Sequence, residues 1–201
     1  MIEFLKAGGP FMWLLVITSL TALAFILERA WALRWNRVVP NAVENAVESC
    51  QDRRGVDTLR SVCTQHPSEA SRLLLAAANH LDWPVAENVD ALQTRARREV
   101  VGLERGLVIL EVIVGIAPLL GLVGTVHGLI SLFGDFGKAS TGDNEVLAKG
   151  IAMALNTTLM GLLIAIPSLV AWSYFSKKVE SLTVELETLC DEFVRRMYRR
   201  S

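Results

Sequence analysis

A chain of 201 residues in which 52% are hydrophobic, with a mean hydropathy of +0.38, is more apolar than an average soluble domain, where about 45–50% is usual. Its net charge of −1 excludes the strongly basic surface that a nucleic-acid binder needs, so no nucleic-acid partner is expected. The three cysteines, Cys50, Cys63 and Cys190, are odd in number and match no metal spacing, and they read as free thiols of a reducing compartment.

The apolar excess gathers in three runs, 11–33, 107–133 and 146–175. Each meets the roughly 20 residues needed to cross about 30 Å of hydrocarbon. The chain is therefore read as an all-α membrane protein with three transmembrane helices and long cytoplasmic helical extensions. Residues 1–10 are a short periplasmic segment closed by Gly8-Gly9-Pro10. Residues 11–33 form the first span, with Trp13 near one end and Trp31 and Trp35 near the other as interfacial anchors. A cleaved signal peptide is the rival reading, but Glu3 offsets Lys6 ahead of the run and the arginines follow it.

Residues 34–106 read as a helical cytoplasmic loop. Helices are expected from Asn41 to Asp52, from Gly55 to Gln65 and from the Pro67-Ser68-Glu69 start to about His80. A longer, mixed-charge helix should follow Pro84, its first-turn proline, as far as Arg105. Residues 107–133 are the second span, expected to continue that charged helix. Residues 134–145, with GDFGKASTGDN, carry turn chemistry and form a periplasmic hairpin. Residues 146–175 are the third span. In the cytoplasmic tail, 176–201, Val179, Leu182, Leu186, Leu189, Phe193 and Met197 recur at three- and four-residue steps and mark an amphipathic helix.

Charge sets the orientation. Ten arginines lie in 34–105, and Lys177, Lys178, Arg195, Arg196, Arg199 and Arg200 lie in the tail, whereas the N-terminal segment has Lys6 and the hairpin region Lys138 and Lys149. The positive-inside rule then places the loop and the C-terminus in the cytoplasm and the N-terminus and hairpin outside.

The polar residues at membrane depth are the candidates for function, because lipid offers a hydroxyl or a proline-freed carbonyl no partner. In the second span Glu111, Pro118, Gly121, Thr125 and Gly128 recur at steps of seven, three, four and three, near one stripe. In the third, Gly150, Ala154 and Thr158 form one small-residue row and Thr157, Gly161 and Ala165 an adjacent one, with Asn156 beside both threonines. Thr125, Thr157, Thr158, Asn156, Pro118 and Glu111 are therefore expected to line an ion path, Glu111 at its cytoplasmic mouth or simply reaching headgroups. Tight helix packing and i−4 hydroxyl bonding are the structural alternative. His127, two residues from Thr125, falls on the opposite helix face, where a bond between helices or a proton relay are both open. No nucleophile with a base, phosphate loop or metal cluster occurs, so neither an enzyme nor a bound cofactor is expected.

At these residues the chain resembles the MotA/TolQ/ExbB family of ion-driven channels. IAPLLGLVGTVHGLI (116–130) resembles the family's second-span motif and GIAMALNTTLMGLLIAIP (150–167) its third. AGGPFMWLL (7–15) and FILERAW (25–31) are typical of ExbB-like members. Three spans and a short hairpin are more similar to ExbB and TolQ than to four-span MotA. The resemblance implies a homo-pentameric ring in the bacterial inner membrane. It further implies two copies of a single-span partner, like ExbD or TolR, inside that ring, whose membrane aspartate takes up and releases the ion. Thr125 and Thr158 match the family's pore threonines, and Pro118 and Pro167 its prolines. Met153 stands where ExbB and TolQ carry a glutamate, and His127 where ExbB has tryptophan. The expected function is to turn an ion-motive force, of protons or alternatively sodium, into work on the envelope. The alternative is a non-conducting scaffold.

Overall fold

The computed structural model describes residues 9–136 and 144–199. The expected N-terminal segment 1–10 and hairpin 134–145 fall mostly outside those residues. No strand occurs among the described residues. The helices are α1 (Gly9–Ala32), α2 (Trp35–Val38), α3 (Asn41–Ser49), α4 (Val56–Gln65), α5 (Glu69–Asn79), α6 (Val85–Glu104), α7 (Leu107–Phe136) and α8 (Asn144–Tyr198). They divide into two compact units.

The first unit holds Met1–Glu28 and Gly106–Tyr174, which is α1 with α7 and the first part of α8. Its interior is a cluster of Leu15 and Ala22 from α1, Ile113 and Ala117 from α7, and Ile164 and Ala165 from α8, with Leu120 and Met160 at its margin. Many of the other large apolar side chains, such as Leu20, Leu119, Ile130, Leu159 and Ile166, are exposed, as expected of helices whose outer faces meet hydrocarbon. Two α1 hydroxyls are satisfied within their own helix, Thr18 donating to the Leu14 carbonyl and Thr21 to that of Ile17, each at 2.8 Å.

The second unit holds Arg29–Arg105 and Phe175–Ser201. Its core is α2 to α6 packed on the later part of α8, through Val38, Val43, Val47, Leu59, Leu73, Leu74, Leu182 and Phe193. All six positions of the expected tail stripe, Val179 to Met197, are buried. Each such side chain contributes roughly 1.5–3 kcal/mol relative to exposure. Ser68 caps α5, its Oγ accepting from the Ser71 N–H at 3.1 Å, and the Ser71 hydroxyl donates to the His66 carbonyl. Arg196 on α8 closes the end of α3, its guanidinium donating to the Val47 and Glu48 carbonyls at 2.9 and 2.6 Å. Arg72 bridges Glu69 and Glu99, and the Glu99 carboxylate raises the guanidinium further above its ordinary range.

Two local expectations differ from the structure. Pro84 is the residue before α6, in an extended conformation (φ −54°, ψ 141°), rather than its first helical residue. The second span does not simply continue α6, because the helix is interrupted at Arg105–Gly106. Gly106 is the residue there with the least to lose from leaving helical hydrogen bonding.

Asn88 is completely buried in α6. Its Nδ2 donates to the Ala77 carbonyl (3.2 Å) and to the Tyr198 hydroxyl (3.0 Å), which lies within hydrogen-bond distance of the His80 and Trp83 carbonyls. Tyr198 thus fastens the end of α8 to the turn between α5 and α6. Tyr198→Phe strips a buried donor and two carbonyls of a partner and should cost about 1–3 kcal/mol. The check is a lower thermal unfolding temperature of the purified chain, with Tyr198→Leu no less damaging.

All three thiols are free and buried. Burial pushes each above its ordinary value, and Cys190, which also faces the Glu187 charge, is pushed up to about 12. A thiol held protonated in the folded state stabilises it fully below the unfolded pKa of about 8.5, and that contribution is lost as pH rises from there toward the folded value. Peptide-resolved maleimide labelling at pH 8 should therefore find Cys190 about a thousandfold slower in the native chain than after denaturation. Comparable rates would mean an open, ionisable thiol.

Candidate functional site

The site begins with missing side chains. A Cβ on Gly121 would lie 2.8 Å from the Thr157 carbonyl oxygen and 2.9 Å from Thr158 Cα, and one on Gly161 would lie 2.5 Å from the Ala117 carbonyl oxygen. A Cβ on Gly124 would meet Thr157 Oγ1 at 2.8 Å. Three glycines on two facing helices thus let the backbones of α7 and α8 touch, which is how helices associate where lipid supplies no hydrophobic drive.

Into that contact the two helices place three hydroxyls. Thr157 Oγ1 lies 3.0 Å from the Gly121 carbonyl, across the interface, and 2.8 Å from the Ala154 carbonyl of its own helix. Thr125 Oγ1 lies 3.1 Å from the same Gly121 carbonyl and 3.4 Å from Thr157 Oγ1. Thr125 also hydrogen-bonds Thr158 directly, hydroxyl to hydroxyl. Three hydroxyl hydrogens therefore serve two carbonyls and three hydroxyl oxygens. The cluster has more acceptor sites than donors, so its unused lone pairs favour a proton or a hard cation over an anion.

Exposure separates the three. Thr157 is 1% exposed and Thr125 9%, while Thr158 is half-buried and is the member of the trio that can be reached from outside the pair of helices. Asn156 and Met153 are half-buried on α8. Pro118, inside α7, and Pro167, inside α8, each remove one helical hydrogen bond and free the carbonyl four residues earlier. Pro118 is half-buried, and Glu111 is exposed. The expected second-span stripe therefore divides: Gly121, Thr125 and Gly128 pack on α8, while Glu111 and Pro118 stand toward its open side. The structure brings Thr125, Thr157 and Thr158 together and leaves Asn156, Glu111 and Pro118 outside their hydrogen-bonded cluster. His127 is exposed, its ring set edge-on to Phe11 of α1 at 5.4 Å between centroids.

Sequence reading did not single out the Gly121 and Ala154 carbonyls as hydroxyl acceptors. Gly121 had a signal, since it lies one turn before Thr125, but its pairing with Thr157 across the interface had none. Among the described residues there is no cluster of histidine, cysteine or acidic side chains able to hold a metal ion.

Three helices long and apolar enough to cross a membrane, with hydroxyls and a backbone carbonyl gathered between two of them, define a multi-pass helical membrane protein with a polar interior. Residues 65–188, more than half of the chain, match the MotA/TolQ/ExbB proton channel family, and the chain belongs to that family, on its ExbB/TolQ side. It is 34% identical over 181 residues to the ExbB-like 1 biopolymer transport protein of Synechocystis sp., covering 85% of this chain and 68% of that one. To the Tol-Pal system protein TolQ of Haemophilus influenzae it is 26% identical over 218 residues, covering 98% and 93%. To the biopolymer transport protein ExbB of Helicobacter pylori it is 34% identical over 103 residues, covering 51% and 66%.

Gly161→Ala drives a methyl group into the Ala117 carbonyl and has to part α7 from α8 locally. The expected result is a chain that unfolds at lower temperature in detergent. Gly115→Ala, where a Cβ meets nothing within 4 Å, should leave that temperature unchanged.

Proposed function

We propose that this chain is the ion-conducting, ring-forming subunit of an envelope motor. The observation that carries the reading is the donor-poor hydroxyl cluster of Thr125, Thr157 and Thr158 on the Gly121 carbonyl, in a chain of this family. In this reading five copies surround two copies of a single-span partner, like ExbD or TolR, whose helix carries an aspartate at membrane depth. The ring lies in the bacterial inner membrane, with the N-terminus and hairpin periplasmic and the arginine-rich loop and C-terminus cytoplasmic.

An ion entering from the periplasm meets the partner's aspartate beside Thr158. The hydroxyls of Thr158 and Thr125 offer lone pairs to the proton or cation as it leaves one oxygen for the next. Thr157, buried behind them, holds Thr125 in place through the shared Gly121 carbonyl. Asn156 and the carbonyls freed by Pro118 and Pro167 extend the polar lining, and Glu111 stands at the cytoplasmic exit. With Met153 in place of an acid, the ring itself supplies no carboxylate at that depth, so the charge that gates transfer is the partner's. Protonation and release change which ring hydroxyls the partner helix can bond, and that change is what delivers work to the envelope. Protons are the first choice of ion, and sodium is the alternative because hydroxyl and carbonyl oxygens also suit a hard cation. The chain breaks no covalent bond in this reading and needs no cofactor.

The deciding experiment is ion flux in liposomes holding the chain with its partner, under proton and sodium gradients in turn. Thr158→Val removes one hydrogen bond to a charged species, worth about 1.5–3 kcal/mol, so flux should fall about ten- to a hundredfold with assembly intact. Undiminished flux in that variant rejects the pore assignment. A second reading, a non-conducting scaffold, is favoured by Met153, which could mark a path packed shut. An intact wild-type complex with no flux under either gradient would support it.

A further inference from the structure

The first and third apolar runs end near each other in character if not in sequence: Trp31 and Trp35 follow the first, Lys177 and Lys178 the third. At the first exit the backbone leaves the helix at Arg34 (φ −67°, ψ 131°), and α2 then restarts at Trp35. This turn sets the Arg37 guanidinium 3.9 Å from the centre of the Trp31 ring. The Lys178 ammonium, more than 140 residues later, lies 5.3 Å from the centre of the Trp35 ring. Both pairs belong to the second compact unit.

Both cations are held by aromatic faces and neither is neutralised. Arg53, Arg72, Arg95, Lys177, Arg195 and Arg196 each pair with a carboxylate within 4 Å. Among the described residues, Arg34, Arg37 and Lys178 have no such pair. A ring quadrupole orients a cation but leaves its full charge to act on a further anion. Trp31 is 62% exposed and Trp35 38%, so the rings keep free surface beside those charges. The nearest acids in sequence are Glu44, seven residues after Arg37, and Glu180, two after Lys178 and already bonded to Lys177.

An amphipathic ring and an uncompensated cation, side by side where a chain leaves hydrocarbon, match the two ends of one molecule: an acyl chain on the ring and a phosphate on the cation. We propose that Trp31–Arg37 and Trp35–Lys178 form a binding surface for an anionic phospholipid. The phosphate lies on the Arg37 guanidinium or the Lys178 ammonium, and the glycerol and upper acyl chains lie on the neighbouring indole face. A lipid held on Trp35 and Lys178 joins the start of the loop to α8, so it ties the first and third membrane exits together. Zwitterionic lipid would meet the rings but gain little from the cations, so the surface discriminates by headgroup charge.

The test uses the full-length chain in phosphatidylcholine vesicles carrying a trace of spin-labelled phosphatidylglycerol or spin-labelled phosphatidylcholine. The readout is the fraction of each label that the protein immobilises. The anionic label should be enriched over the zwitterionic one, and losing a basic residue should weaken its association about fivefold. R37Q/K178Q should therefore bring the two labels close to equality, and R37K/K178R should keep most of the preference. Should the neutral double variant fail to fold, the wild type still decides: the preference must shrink at high salt. Equal immobilisation in the wild type, a preference indifferent to salt, or one untouched in R37Q/K178Q would overturn the proposal.

Discussion

The absence of three side chains governs the membrane unit. With any Cβ at Gly121, Gly124 or Gly161 the α7 and α8 backbones could not stand where they do. Only at that separation can Thr157 reach the carbonyl of Gly121 on the other helix, and only then do Thr125 and Thr158 meet. The polar cluster is thus a product of the packing. Lipid cannot drive two apolar helices together by excluding them from water, so close backbone contact and buried hydrogen bonds have to do it. The same residues that hold the helices therefore form the polar cluster proposed to meet the ion, and in that reading stability and function cannot be tuned separately there.

Thr157 and Thr158 show how one residue step divides those tasks. They are adjacent on α8, so their side chains point about 100° apart. That angle buries Thr157 among backbone carbonyls and leaves Thr158 half-open. A hydroxyl shared between two carbonyls is a fixed cross-brace. A hydroxyl with one hydroxyl partner and open space can rotate its hydrogen toward or away from that partner. The shared Gly121 carbonyl couples the two, since it receives both Thr125 and Thr157 and a shift in one donor alters what the other finds.

Much of this was legible in the residues. The three apolar runs, the small-residue rows and the tail stripe from Val179 to Met197 follow from length and periodicity, and burial of a helix stripe is decided largely by which residues recur at 3.6-residue spacing. The Ser68 cap is equally local. What could not be read depends on distance in sequence. Nothing around Arg196 announces that it closes α3, nor anything around Tyr198 that it meets Asn88 110 residues away. Within the site, periodicity put Glu111, Pro118 and Thr125 near one stripe. It could not say that the glycine edge of that stripe would face α8 while Glu111 stayed exposed, because which edge is covered depends on the partner helix. The interruption at Arg105–Gly106 was hidden for a different reason: a lone glycine inside a helical pattern is tolerated more often than it breaks one.

The uncovered groups carry the argument beyond one chain. Glu111 is exposed, His127 has Phe11 on one edge and is otherwise open, and Asn156 and Thr158 are half-buried. Leu159, Leu163 and Ile166 can face lipid at no cost, but an amide or a carboxylate at membrane depth cannot, since hydrocarbon offers it neither donor nor acceptor. In the membrane Asn156, and Glu111 and His127 wherever they lie below the headgroups, need protein or water against them. That need favours the proposed assembly of copies over a monomer dispersed in lipid, independent of any likeness to other proteins.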